Sequence, residues 1–202
     1  FQMGEPLLAR THVDQGLALY DAKQHRAYVS LFGAHDPGVC GACYLGMTLW
    51  ALGYPDQALQ RIREALSLAQ ELNHPFTTVY ALWDVAWIHY QRGQYQAAAE
   101  KLEASWRLVT GQGIAGWPDT ESMLLACLTV EEGQHDDLIA QLLKWLAAVK
   151  KRMWGWREIF CLCLGADACC RAGQGALGLQ VLSEVMAEKN IQGFYEPELH
   201  RL

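Results

Sequence analysis

The sequence predicts an all-α fold, a solenoid of stacked helix pairs. Three observations predict it. Gly53, Gly93, Gly133 and Gly173 recur at intervals of 40 residues, and a fixed period in the range of about 20–50 residues is the signature of repeated supersecondary units. Apolar residues recur at spacings of three and four in most segments between the glycines, with no sustained period-two alternation, so the segments read as amphipathic helices and not as strands. Pro37, Pro55, Pro75 and Pro118 open four of those segments, at a first helical turn where a missing N–H costs nothing.

Alignment on the glycines gives each unit its parts. Five residues on stand Ala58, Ala98, Leu138 and Gly178, mostly small, and nine on stand Ile62, Leu102, Leu142 and Leu182, all large and apolar. Seven residues before stand Gly46, Ala86, Ala126 and Ala166. Small residues let two helix backbones approach and the large one fills the gap. The glycine supplies the left-handed turn that ends the first helix. First helices are expected over Pro37–Leu52, Pro75–Arg92, Pro118–Glu132 and Trp156–Ala172. Second helices are expected over Pro55–Glu71, Tyr95–Thr110, Asp136–Lys150 and Ala176–Lys189. Asp36 is the expected N-cap of the first.

A partial unit comes earlier, with Gly4, Ala9 and Val13 opening a second helix that runs to Tyr20 and an irregular connection over Ala22–His35. Residues 194–202 read as the opening of a further first helix. The expected organisation is one solenoid over residues 1–202, with a partial unit 1–36 and units of about 37–74, 75–114, 115–153 and 154–193. Open at both ends and without polar caps, it reads as a piece of a larger protein.

Composition narrows the function classes. The chain is 51% hydrophobic and 19% charged, enough to bury a core. A net charge of −6 argues against a general nucleic-acid binder, and no apolar run approaches the length of a membrane span. Seven cysteines, an odd number, lie in the apolar first-helix stretches, which fits reduced buried thiols in a cytoplasmic protein. Cys40 and Cys43 match C-x-x-C, but without a second such pair or a βαβ context they read as core rather than as a metal or redox site. No metal or other cofactor is expected.

Other motifs are read against their context. Gly111–Gly116 and Gly173–Gly178 match G-x-G-x-x-G, but each follows a helix, where a dinucleotide fingerprint needs a strand. Lys150–Arg157 interleaves cations with tryptophans. A contact with nucleic acid or anionic lipid is conceivable there, and the favoured reading is cations closing a helix C-terminus. No nucleophile–base pair is assembled by spacing.

The unit is similar to the tetratricopeptide repeat, with a longer period than the common 34 residues. That resemblance implies a right-handed α-α superhelix whose first helices line the concave face. Carried over unit by unit, the concave positions include Met47, Trp50, Tyr80, Trp83, Trp87, Tyr90, Met123, Phe160 and Asp167, with Asp84 beside them. Two readings stand for this apolar and aromatic lining. It fills a tightly wound superhelix, or it forms a groove for a protein segment or a small apolar ligand. Asp84 and Asp167 are the candidates for receiving a cationic group, unless an internal arginine or backbone N–H satisfies them.

Longer strings carry a wider resemblance: Leu49–Leu59, Glu71–Phe76, His35–Val39, Gly16–Asp21 and Tyr195–Leu202. They resemble the C-terminal repeat region of large bacterial signalling ATPases of the adenylate/guanylate cyclase-associated or transcriptional-regulator type. The implied function is a non-catalytic interaction and regulatory module. It would bind a protein segment or its own ATPase or cyclase domain, with any ATPase or cyclase activity lying in other domains. The alternative is a small-ligand sensor using the aromatic groove. A homodimer is a possible assembly.

Overall fold

A computed structural model describes residues 4–25, 27, 29, 35–114, 118–130, 136–149 and 156–186. Among the described residues it is all-helical, with no strand. The chain divides into two compact units, centred on Glu5–Ala115 and Gly116–Leu202.

The first unit holds α1 (Pro6–Ala18), α2 (Ala22–His25), α3 (Pro37–Ala51), α4 (Pro55–Glu71), α5 (Pro75–Gln91) and α6 (Tyr95–Gln112). The second holds α7 (Pro118–Thr129), α8 (Asp136–Val149), α9 (Trp156–Arg171) and α10 (Gly175–Met186). Helices pack on their neighbours in sequence: α3 on α4, α5 on α6, and α9 on α10, with α4 also against α5 and α1 against α3. In addition α3 touches α5, and α7 touches α9.

One turn recurs. Gly53, Gly93 and Gly173 have φ of +83°, +69° and +79°. At each, the glycine N–H donates to the carbonyl three residues back, and the next N–H donates five back: to Trp50 and Leu49 (2.9 and 2.9 Å), to Tyr90 and His89 (2.8 and 2.9 Å), and to Cys170 and Cys169 (3.1 and 2.7 Å). This is the Schellman closure, which satisfies the orphan carbonyls of the first helix and reverses the chain into the second. The expected turn at Gly133 lies outside the described residues.

The small and large positions meet as their register predicts. A Cβ at Gly46 would run into the Ile62 side chain, with the Ala58 carbonyl at 3.1 Å, and a Cβ at Gly178 would lie 3.0 Å from the Ala166 carbonyl. Gly165 answers a different neighbour, since its added Cβ would lie 2.8 Å from Leu142 on α8.

Observed ends differ from expectation by few residues. The α7 helix stops at Thr129 rather than Glu132, and its terminal carbonyls at Cys127 and Val130 accept from the Arg171 guanidinium. The short α2 lies in what the sequence reads as an irregular connection. Asp21 builds it: its carboxylate accepts from Lys23 N (2.8 Å) and Gln24 N (3.2 Å), and its own N–H donates to His25 Nδ1 (2.9 Å). The expected tail of α10 beyond Met186, and residues 194–202, lie outside the described residues.

Candidate functional site

The α5 helix carries the aromatic stripe. Its sequence is apolar on most of its circumference, with Thr77, Asp84 and His89 as buried polar exceptions, and such a helix is buried. Tyr80, Trp83, Asp84, Trp87 and Tyr90 are each at most 6% exposed. Rings close on them from neighbouring segments. Trp50 meets Trp87 edge-on at 6.3 Å, Tyr95 lies 5.8 Å from Tyr90, and His35 lies 4.3 Å from Tyr80 and 4.7 Å from Phe76. Such tilted contacts between rings add to area burial. Met47 is fully buried and Trp50 half-buried. Within the first unit these side chains form a packed layer, with Trp50 retaining partial exposure.

The remaining candidates belong to the second unit. Met123 and Phe160 are buried, and the Cys127 thiol donates to the Met123 sulfur at 3.5 Å. Asp167 is half-buried and takes Arg171 Nε at 3.2 Å. That same guanidinium reaches the α7 carbonyls of Cys127 and Val130. Of the two outcomes the sequence leaves for Asp167, the structure provides the internal arginine. Burial pushes the Cys127 thiol well up, and pushes Cys169 up to about 11, where the Cys170 neighbour adds to it. Cys170 is exposed and Cys40 half-buried, so two of the seven thiols depart from the expected burial. Among the described residues, no group of three or more His, Cys, Asp or Glu side chains could hold a metal ion.

Sequence reasoning missed a polar chain at the other end of the first unit. Asp36 is fully buried. Its Oδ1 accepts from Gly38 N (2.9 Å) and Val39 N (3.0 Å), making it the N-cap of α3 as expected, and Oδ2 accepts from the Tyr20 hydroxyl at 3.0 Å. The Asp36 N–H donates to Thr77 Oγ1 (3.2 Å), which lies 2.8 Å from His74 Nδ1. His74 in turn caps α5, accepting from Thr77 N at 3.2 Å. Burial and the Asp36 carboxylate together hold the Tyr20 hydroxyl protonated far above the usual phenol range. A buried carboxylate with three donors, on a residue whose N–H is held by Thr77, ties the end of α1 and the starts of α3 and α5 into one arrangement.

Beside this chain lies a cleft of about 320 Å³ between α1 and α3, lined by Val13, Gly16, Leu17, Tyr20, Pro37 and Gly41 among others. A furrow of about 570 Å³ runs along α4, with Asp56, Arg63, Glu64 and Glu71 on its walls. The only sequence signal for the first was the run Ala9, Val13 in the register of a second helix.

No family model matches the chain, and no solved structure matches it. Over its whole length it is similar to Uncharacterized protein R02095 of Rhizobium meliloti (strain 1021), at 23% identity over 215 aligned residues. The chain spans 20% of that relative's length. Among the described residues, no helix is long and apolar enough to cross a membrane.

Proposed function

We propose that the chain is a tetratricopeptide-like right-handed superhelix serving as a non-catalytic interaction and regulatory module of a larger bacterial signalling protein. The observation that carries this reading is the recurrence of one turn. Gly53, Gly93 and Gly173 close with the same two hydrogen bonds, and the small and large positions around them meet across the pair. Repeat arrays of this kind present extended surfaces and act by binding. The similarity to one fifth of a much longer protein supports a module within a larger chain.

The partner in this reading is a protein segment, or the ATPase or cyclase domain of the same polypeptide, which the module would hold inactive. Burial of Tyr80, Trp83, Trp87 and Tyr90 gives the small-ligand alternative no open face on α5. The test is to titrate this chain into the ATP-binding segment of the same polypeptide, following heat and ATP turnover. Saturable binding with a slowed turnover is expected. Absence of both would overturn the regulatory reading.

A further inference from the structure

The second helices α4 and α6 each present a buried stripe to the first helix of their own pair. Counted from the turn glycine, positions five, nine, twelve and sixteen on α4 are Ala58, Ile62, Ala65 and Ala69, all 0% exposed. On α6 they are Ala98, Leu102, Ser105 and Val109, at most 1% exposed. On α1, counted from Gly4, they are Ala9, Val13, Gly16 and Tyr20. Here Ala9 is still buried, Val13 and Tyr20 are half-buried, and Gly16 is exposed. Gly4 itself has φ of +78°, in the same left-handed region as the three turn glycines. So α1 carries the turn and the stripe of a second helix, with the stripe open.

The opening is the cleft of about 320 Å³ between α1 and α3. One unit further on, the same place is solid core. There Ala65 and Ala69 of α4 pack with Tyr80 and Ala81 of α5 and with Val39 and Cys43 of α3. Gly16 and Tyr20 correspond to Ala65 and Ala69, and Gly41 corresponds to Ala81, twelve residues before its turn glycine. Two walls of that cluster therefore recur in the cleft. The wall made by Val39 and Cys43 has no counterpart by register among the described residues, and His25 of α2 and Leu19 complete the lining of the cleft. The cleft is continuous with the α1–α3 interface, where Gly41 packs closely on Leu17, and Gly16 leaves room for a backbone. No Cβ contact within 4 Å would meet a side chain added at Gly16.

We propose that this cleft seats a further α-helix, entering from the polypeptide ahead of Gly4 and inserting two medium-sized apolar side chains four residues apart against Gly16. The proposal rests on the repeat reading above, since it takes α3 on α4 as the template for the occupant. A helix is favoured over a small apolar molecule because the chain fills the equivalent place with a helix.

The test grafts a copy of residues 35–52 directly ahead of Gly4 in the full chain, so that Gly4 stands where Gly53 stands behind α3. The graft is expected to raise Tm by about 5 °C or more and to slow amide exchange along α1. Gly16→Trp should cancel both gains in the grafted chain while leaving the ungrafted chain folded. No rise in Tm and no added protection would overturn the proposal. So would a dimer of the ungrafted chain that Gly16→Trp dissociates, because a second copy would then be the occupant. Ala98→Trp separates the two failures: it tests helix pairing away from the cleft. If it destabilises the chain while the graft does nothing, the repeat reading stands and the cleft assignment falls.

Discussion

Asp36 shows how much one side chain can hold. Its carboxylate caps α3, takes the Tyr20 hydroxyl, and sits fully buried. Asp36→Ala removes the cap and strands the Tyr20 donor, and a loss of about 2–4 kcal/mol in urea unfolding is expected. Tyr20→Phe removes one charge-assisted bond and should cost about 1.5–3 kcal/mol. The buried thiols give a pH dependence at the same scale. Cys169 is raised from 9.0 to about 11 by burial first and by Cys170 second. The unfolded thiol therefore ionises before the folded one, and the unfolded state binds fewer protons between those values. Its contribution is fully present below pH about 8.5 and is lost as pH rises toward about 11. Thermal unfolding followed from pH 8 to 11 should show stability falling, with a shallower fall in Cys169→Ala. An equal slope in both proteins would remove Cys169 as the cause.

At the scale of the element, the turn and the helix interior make opposite demands on glycine. Gly93 has φ of +69°, so Gly93→Ala is expected to cost about 1–2 kcal/mol. Gly16 lies inside α1 with nothing within 4 Å of an added Cβ, so Gly16→Ala should stabilise by about 0.4–1 kcal/mol. Equilibrium unfolding of the two variants checks the pair of signs. The helices were legible because proline starts and left-handed stops are local chemistry: Pro55–Glu71 opens on a proline and closes just before Asn73, at φ of +51°. What escaped was set by partners distant in sequence. The carbonyls at the end of α7 meet Arg171, some forty residues on, whereas the pairing of that side chain with Asp167 spans only four residues. The α2 turn escaped because one aspartate supplies most of its capping. For the candidate groove, residue type placed the aromatics on one stripe but could not say which rings would cover them.

At the scale of the whole molecule, neighbour-to-neighbour packing is what a large side chain at a small position would break. Ala98 is fully buried on α6, which packs against α5. Ala98→Trp overpacks that contact, and a loss of about 3 kcal/mol or more in thermal or urea unfolding is expected. Unchanged unfolding would sink the register on which the repeat reading depends.

The turn closed by Gly53, Gly93 and Gly173 has a consequence for how the chain comes off the ribosome. Each of those turns brings together two helices that are adjacent along the chain, so little loop entropy must be spent before contacts form. Low contact order of this kind gives fast folding, in the microsecond-to-millisecond range for helical proteins. Synthesis delivers roughly 5–20 residues per second, so each pair has seconds in which to close before the next emerges. Nascent chains halted just beyond α4 should then already resist protease, long before α9 has been made.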